Sequence, residues 1–466
     1  MGTLESRTMQ AEEKKRKWVY PKQMKGKLYR YRNALSYVLL ALLFLGPWLK
    51  INGEQLILLN ALGRKFVFFG AVFMPQDTYI FALGMLTFIV FIVLFTVVFG
   101  RVWCGWACPQ TIFMEMVFRK IEYWIEGDAG QQRKLNAAPL TGEKLLKKGI
   151  KHAIFLVISF AIANTFLAYI IGSGELVRII TEPVSAHISG FIAILVFTGA
   201  FYGTFAFVRE IVCTHICPYG RLQGVLLDQQ SLVVAYDNKR GEPRQKIRKG
   251  KESPDGGDCV DCGLCVAVCP TGIDIRNGTQ LECINCTLCI DACDSVMLKL
   301  DRAPRLIGFK SQEQIETGKK FTLSKRIYAY AAILLILVTT LATLLVRRSD
   351  IDTTILRAGG TLYQLRDDGT VSNLYNAELI NKTPGNIRFE MKLNDPAARI
   401  QYINRAGTIR KGESVKLTFF VILPQDHITQ YKSEIGLDVI ANGKVITRST
   451  TTFIAPPHLQ NHELGH

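Results

Sequence analysis

Eight of the chain's twelve cysteines fall within 35 residues as two copies of one spacing, Cys259-x2-Cys262-x2-Cys265-x3-Cys269 and Cys283-x2-Cys286-x2-Cys289-x3-Cys293. Thiols packed this densely, and packed so twice, are the ligand pattern of a pair of cubane iron-sulfur clusters. A Cys-x2-Cys-x2-Cys loop can cover three corners of a cubane, and in the bacterial ferredoxin pattern the fourth thiolate is the last Cys of the other run. That assigns one [4Fe-4S] cluster to Cys259, Cys262, Cys265 and Cys293, and the other to Cys283, Cys286, Cys289 and Cys269. Zinc usually takes Cys-x2-Cys pairs that are well separated, not tandem four-Cys runs. A disulfide framework needs an oxidising compartment. One asymmetry stands out: Pro270 follows the first run, Asp294 the second.

The chain of 466 residues is 49% hydrophobic yet carries a net charge of +17, so the two properties must be segregated along it. Five apolar runs, near residues 34–50, 79–100, 152–172, 189–208 and 327–346, approach the roughly 20 residues needed to cross a bilayer. Pro47 interrupts the first, and no small-residue cleavage site of a signal peptide follows it. Ten Lys and Arg precede the first run and nine lie in 101–151, against two in 51–78 and one in 173–188. The positive-inside rule then sets the N-terminus, 101–151 and 209–326 in the cytoplasm and the C-terminal part outside. Arg347 and Arg348, just after the last run, argue weakly the other way. All twelve cysteines lie in segments assigned to the cytoplasm or its face, where thiols stay reduced. Membrane topology and anionic lipid account for the basic excess, and no motif supports nucleic-acid binding.

The membrane part is internally repeated. A two-span hairpin ending in Cys104-Gly105-Trp106-Ala107-Cys108-Pro109 is matched, 109 residues on, by one ending in Cys213-Thr214-His215-Ile216-Cys217-Pro218, with Arg101 and Arg209 at nearly matching positions. Parallel repeats of this kind bring both motifs together at one face. Pro109 and Pro218 push Cys108 and Cys217 out of the helical region and suit the first turn of a following helix. After Pro109 the spacing of Ile112, Phe113, Met116, Val117, Ile121, Trp124 and Ile125, opposite Glu115, Arg119, Lys120, Glu122 and Glu126, predicts an amphipathic helix lying on the membrane surface. The four thiols of Cys104, Cys108, Cys213 and Cys217 could hold a third iron-sulfur cluster, bind copper, or cycle between dithiol and disulfide. A buried-core role explains a lone Cys but not a spacing repeated at constant offset.

The organisation read from these features is a basic N-terminal segment (1–33), a membrane domain of four spans in two hairpin repeats (34–236), a linker and two-cluster ferredoxin domain (237–301), a linker and fifth span (302–346), and a C-terminal domain (347–466). In that last domain alternating runs such as 415–422, 435–440 and 445–453, with turn pairs Asp368-Gly369 and Asn442-Gly443, predict about seven short antiparallel strands and an all-β immunoglobulin-like sandwich. It has no Cys, so docking is the role expected of it. His215 could serve as a soft-site ligand or proton donor; His152 and His187 lie near span ends; His458, His462 and His466 are spaced by four in a polar tail. There is no dinucleotide fingerprint and no haem-attachment motif, so electrons must come from a partner protein, a small reductant or membrane quinol.

Taken together, the Gly-Arg-Val-Trp-Cys-Gly-Trp-Ala-Cys-Pro-Gln of 100–110, the Cys-Thr-His-Ile-Cys-Pro-Tyr-Gly-Arg of 213–221, the tandem ferredoxin runs and the C-terminal sandwich resemble the FixG/RdxA/CcoG family over nearly the whole chain. The resemblance implies a bacterial inner-membrane protein with two [4Fe-4S] clusters that acts in assembly of cbb3-type cytochrome c oxidase. It also implies cupric reductase activity, Cu(II) to Cu(I), alongside oxidase-assembly and copper-delivery partners, with a homodimer as one arrangement. The family's cluster ligands carry over onto the eight cysteines above, and its membrane redox motif onto Cys104, Cys108, Cys213 and Cys217. Thiolates favour Cu(I), which suits electrons passing through the cubane pair to copper near the paired cysteines. The alternatives are NapH/NosR-like transfer from quinol toward a periplasmic reductase, and a non-redox assembly scaffold. The absence of a flavin-domain segment disfavours the NosR form.

Overall fold

The computed structural model of the protein describes residues 18–51, 53–61, 63, 65–73, 77–246, 256–318, 322–348, 351–383, 385–404, 407–441 and 443–457. His458, His462, His466 and Asn442 lie outside the described residues. The chain divides into two compact units: Met1–Leu45, Met85–Leu167 and Arg178–Val338 form one, and Gly46–Gly84, Ala168–Val177 and Thr339–His466 the other.

Among the described residues four helices are long and apolar enough to cross a membrane: Thr78–Phe99, Gly142–Ile171, Ile188–Val208 and Lys325–Val346. The shortest, 21 residues, rises about 31 Å at 1.5 Å per residue, close to a bilayer's hydrocarbon core. The run expected at 34–50 forms a helix shifted toward the N-terminus, Lys27–Leu45. Its first half is polar, and Pro47 follows its end, where a proline cannot extend the helical ladder.

In the first unit the chain after Pro109 is helical from Pro109 to Glu126, with a wide π-type turn over Phe113–Phe118. This helix does not lie on a surface with a solvated polar face. Phe118 packs edge-on to Phe155 at 4.7 Å and stacks on Phe205 at 4.5 Å, so its apolar side is clamped by the two spans of the second hairpin. Its charged side is buried too. Arg209 grips both oxygens of Glu122 at 2.8 and 2.9 Å, Lys151 and Lys148 hold Glu126 at 3.0 and 2.9 Å, and Arg119 holds Glu115 at 2.6 Å. Helical spacing of charge is the same whether a face meets water or other charges, so the amphipathic pattern alone could not separate the two.

The cysteine-rich segment hangs from a two-stranded antiparallel clasp, Val233–Tyr236 against Ile307–Lys310. Inside it lie the short helix Leu264–Ala267 and the longer Leu288–Lys299. Asp291 of the longer helix accepts the amides of Leu28 and Tyr29 at 3.2 and 2.8 Å, capping the free N–H groups at the start of Lys27–Leu45. The stretch 302–326 holds, besides the clasp strand, the helix Gln312–Thr317, started by a Ser311 capping box.

In the second unit two antiparallel sheets face each other. One runs Arg399–Tyr402, Ser414–Pro424, Thr370–Asn381, Ile351–Arg357, with Gln364–Leu365 also on Thr370–Asn381; the other runs Thr408–Ile409, Ile387–Leu393, Lys432–Ala441, Lys444–Ile454. Alternation sends Leu417, Phe419, Val421 and Leu423 inward from one sheet to meet Leu437, Val439 and Phe453 from the other. Asn373 and Tyr375 stitch the sheets, donating to the carbonyls of Ile454 and Thr452 at 2.8 Å each. Among the described residues the strands number nine, two more than the sequence suggests, because Gln364–Leu365 and Thr408–Ile409 are too short to show alternation. Residues 51–78, read only as an external loop, hold a small three-stranded sheet, Ile57–Asn60, Lys65–Phe68 and Ala71–Phe73, around Leu58, Val67 and Val72. Asp77, 2% exposed, receives Arg348 and Lys382 at 2.6 Å each.

Candidate iron-sulfur and thiol sites

The two cysteine runs fold alike. Asp261 and Gly263 in the first loop, and Asn285 and Thr287 at the matching positions of the second, all have positive φ (49, 65, 51 and 68°). Two left-handed residues per loop bend the chain tightly enough to turn three thiols to one side. Gly263 takes that conformation at no steric cost, whereas Thr287 is β-branched and strained there. Its buried hydroxyl donates to the Cys286 carbonyl at 2.7 Å.

Each loop borders a small cavity. Cys259, Cys262, Cys265 and Cys293 line one, together with Tyr236 and Arg276. Cys269, Cys283, Cys286 and Cys289 line the other, together with Cys265. Each cavity therefore takes three cysteines from one run and the last cysteine from the other, and Cys265 borders both. Among the described residues no three His, Cys, Asp or Glu side chains close around a single metal ion. Thiols set about an apolar cavity fit a cluster of several atoms better than a zinc ion at about 2.3 Å from each sulfur. Burial pushes the thiols of Cys265 and Cys283 up to about 11 and those of Cys286 and Cys293 up to about 12. Without a cation between them they hold their protons at neutral pH, and iron would displace those protons on binding.

The Cys-x3-Cys-Pro motifs converge. Cys104, Cys108 and Cys217 all lie in the electrostatic field of Cys213. Cys108 and Cys217 are extended (ψ 125 and 110°), each followed by a proline opening a helix, as proline sterics require. Burial raises the Cys104 thiol to about 11 and the Cys213 thiol to about 12. The Cys104 thiol donates to Gln223 Oε1 at 2.8 Å, and Gln223 Nε2 donates to Thr96 Oγ1 at 3.0 Å and to the Tyr219 hydroxyl at 2.8 Å. Beside this network Phe88, Phe91, Ile92, Phe95, Trp103 and Tyr219 line an apolar cavity of about 310 Å3.

The thiol site abuts the second cluster loop. A Cβ built on Gly105 would stand 2.3 Å from the Ile284 carbonyl oxygen and 2.9 Å from the Cys286 amide, and Cys104 and Cys286 share one buried apolar cluster. Arg101, which the sequence singles out only as a repeat position, donates to the Leu281 carbonyl and lies in the field of both Cys104 and Cys283. Its repeat counterpart Arg209 is instead held by Glu122 and stacks over Trp18 at 4.6 Å. His215 is exposed and engaged with Thr214 Oγ1 at 2.7 Å, His152 bonds the Tyr202 hydroxyl at 2.9 Å, and His187 pairs with Glu182. None of the three is brought to the cysteine cavities. The contacts of Arg101 with the Leu281 loop and of Gln223 with Cys104 carry no signal in the sequence, because each joins segments far apart in the chain.

Residues 208–312 match the family model of a 4Fe-4S dicluster domain, 81–128 that of a 4Fe-4S binding domain, and 341–456 that of an IG-like fold at the C-terminal of FixG. Both Cys-x3-Cys-Pro motifs thus fall inside 4Fe-4S matches. The chain is 36% identical over 385 residues to protein RdxB of Cereibacter sphaeroides, covering 79% of this chain and 80% of RdxB. It is 34% identical over 399 residues to RdxA of the same organism, covering 81% and 82%. To the nitrogen fixation protein FixG of Rhizobium meliloti it is 36% identical over 328 residues, 66% of this chain and 61% of FixG's length.

Proposed function

The chain belongs to the family of FixG, RdxA and RdxB, and from that premise we propose that it is an inner-membrane electron carrier that reduces Cu(II) to Cu(I) for cbb3-type cytochrome c oxidase assembly. At the coarser level it is a membrane-associated iron-sulfur electron-transfer protein with 4Fe-4S-binding domains. Cys259, Cys262, Cys265 and Cys293 hold one cluster in this reading, and Cys283, Cys286, Cys289 and Cys269 the other. The observation that carries it is the pair of cavities, each bordered by three thiols of one run and the last thiol of the other. When bound, such clusters supply one-electron steps over a wide span of potential.

The chain's own residues provide the surroundings. Gly105 lets the thiol site touch the second cluster loop, and the buried thiol of Cys104 with the half-buried thiols of Cys108, Cys213 and Cys217 offers soft ligands that prefer Cu(I) once it forms. A third cluster on these four cysteines is the competing use of the same donors. Copper-delivery and oxidase-assembly proteins are the partners this reading requires, with the C-terminal sandwich as the docking element.

Five spans, with the N-terminus and clusters cytoplasmic and the sandwich periplasmic, complete the proposal. The helix Lys27–Leu45, 19 residues and about 28 Å long, serves as the first span. Residues 46–84, 168–177 and 339–466 group in one compact unit, as segments sharing one side of a bilayer would. Arg348 is neutralised by Asp77, which removes its weight as an inside signal.

A second reading, quinol-linked transfer toward a periplasmic reductase, draws on the apolar cavity lined by Tyr219, whose hydroxyl is hydrogen-bonded to Gln223 and through it to Cys104. Titrating anaerobically reduced protein with Cu(II) separates the readings. Stoichiometric Cu(I) formation that is lost in Cys108→Ser/Cys217→Ser, with the cluster spectrum intact, is the expected result. Undiminished reduction in that variant would leave the four cysteines a structural or quinone-related role.

A further inference from the structure

Two arginines are buried near the cavity of Cys269, Cys283, Cys286 and Cys289, and among the described residues neither is ion-paired to a carboxylate. Arg32 is 1% exposed and Arg101 2%. Both terminal nitrogens of Arg32 lack an acceptor, and so does Nε of Arg101, whose Nη1 meets only the neutral carbonyl of Leu281. Arg32 lines a small cavity with Val268 and Leu288, the neighbours of Cys269 and Cys289, and Arg101 reaches the Leu281 carbonyl two residues before Cys283. Nearby carboxylates are engaged elsewhere: Glu115, which lines a small cavity with Arg32, is held by Arg119, and Asp291 faces the amides of Leu28 and Tyr29. A guanidinium taken out of water with unsatisfied N–H groups is strongly unfavourable unless an anion faces it.

Around the other cavity the balance is reversed. Its lining arginine, Arg276, is held by Asp261 at 2.5 Å and Asp274 at 2.7 Å, and Asp294, next to Cys293, is paired at 3.5 Å with the exposed Arg305, which leaves three carboxylates against two guanidinium groups. Two uncompensated cations thus stand beside one set of four thiols, and a net negative group of side chains beside the other. A reduced cluster carries one more negative charge than an oxidised one, so nearby cations favour the reduced form and carboxylates oppose it. Burial works the other way, since Cys286 is buried and Cys262 exposed. The same burial, however, removes the solvent that would screen the two guanidinium charges.

We propose that Arg32 and Arg101 raise the reduction potential of the cluster bound by Cys269, Cys283, Cys286 and Cys289 above that of its partner. The first electron to enter the pair, converting one [4Fe-4S]2+ to [4Fe-4S]+ without breaking a bond, then rests beside Cys104. This rests on the two-cluster reading. It gives Arg101 the part of a positioning charge shared between the cluster loop and the thiol site, while Arg209 remains structural.

The test is a redox titration of the purified full-length protein, reduced stepwise with dithionite and mediators and followed by the paramagnetic signal of the reduced clusters. Two one-electron waves are expected. Arg32→Gln and Arg101→Gln should each move only the higher wave to lower potential, with iron content unchanged, and Arg32→Lys should restore it. Cys283→Ser should alter the higher wave and Cys259→Ser the lower, an assignment that stands even where an arginine variant fails to load iron. Waves that stay in place in both glutamine variants, a shift confined to the lower wave, or a higher wave altered by Cys259→Ser would overturn the inference. Fewer than four irons in the wild-type protein would instead refute the two-cluster reading beneath it.

Discussion

Replacing Gly105 by alanine adds one methyl group at the tightest contact between the thiol site and the cluster loops. The new Cβ would lie 2.3 Å from the Ile284 oxygen, 2.9 Å from the Cys286 nitrogen and 3.0 Å from the Asn285 carbonyl carbon, all of them backbone atoms. Comfortable separations for such atoms are about 3.5 Å or more, so the two segments must part by roughly 1 Å. Overpacking of this kind costs about 1–3 kcal/mol. The upper half of that range is expected, since the second loop cannot yield without disturbing the buried Cys286. For a unit of this size the melting point should fall by roughly 4–10 °C. The assay is thermal loss of the clusters' visible absorbance under anaerobic conditions, with iron counted beforehand and Cu(II) reduction measured in parallel. Iron content should hold while stability and reduction rate both drop. Gly130→Ala is the control: nothing lies within 4 Å of its added Cβ, and alanine favours a helix, so stability should be equal or slightly higher. If Gly105→Ala melts and reduces copper like the parent, the close approach of the motif to the Cys286 loop has no part in stability or transfer.

Anaerobic protein should contain eight iron atoms per chain, from two clusters of four; a count near twelve, falling to eight in Cys108→Ser/Cys217→Ser, would show a third cluster on the membrane-face thiols. Burial pushes the Asp77 carboxyl up, but Lys382 and Arg348 more than offset it and hold it below the usual range. Its stabilisation should therefore be fully present above about pH 4 and be lost as pH falls through the lowered value. Asp77→Asn should cost on the order of 2–3 kcal/mol at neutral pH, less than a fully orphaned buried pair because Lys382 keeps Asp352 at 2.8 Å. Thermal unfolding at pH 7 and at pH 3 checks this: a variant as stable as the parent at pH 7 would contradict it. An alkaline phosphatase reporter fused after residue 457 should be active and one in 242–246 inactive; the reverse would overturn the proposed orientation.

The 4Fe-4S-binding segment was legible because a cubane demands four thiolates, and the tandem Cys-x2-Cys-x2-Cys-x3-Cys spacing within 35 residues is the bacterial ferredoxin pattern. The Cys-x3-Cys-Pro turns were legible through proline, whose steric demands act on its immediate neighbour. Four of the expected spans appear within a few residues of their apolar runs, except that Gly142–Ile171 begins ten residues early, where Lys148 and Lys151 reach back to Glu126. That reach also hid the true setting of the helix after Pro109: local spacing records that Glu122 and Lys120 share a side, not that Arg209 arrives there from the other repeat. Arg101 and Arg32 were opaque for the same reason. An arginine near a span end reads as a topology signal, and only the fold reveals that these two are shut away from water beside Cys283 and Cys286.

The pairing of Val233–Tyr236 with Ile307–Lys310 has a consequence for how such chains evolve. Residues 237–306 leave the membrane part and return to it across a single interstrand gap of about 4.8 Å. From the standpoint of the flanking helices, an insert with adjoining ends is equivalent to a hairpin turn, and the entropy of closing the loop is met by the strand pair whatever the insert contains. Redox cargo of another size or ligand spacing could be exchanged at this clasp where it remakes the contacts of Asp291 with Leu28 and Tyr29 and of Ile284 with Gly105.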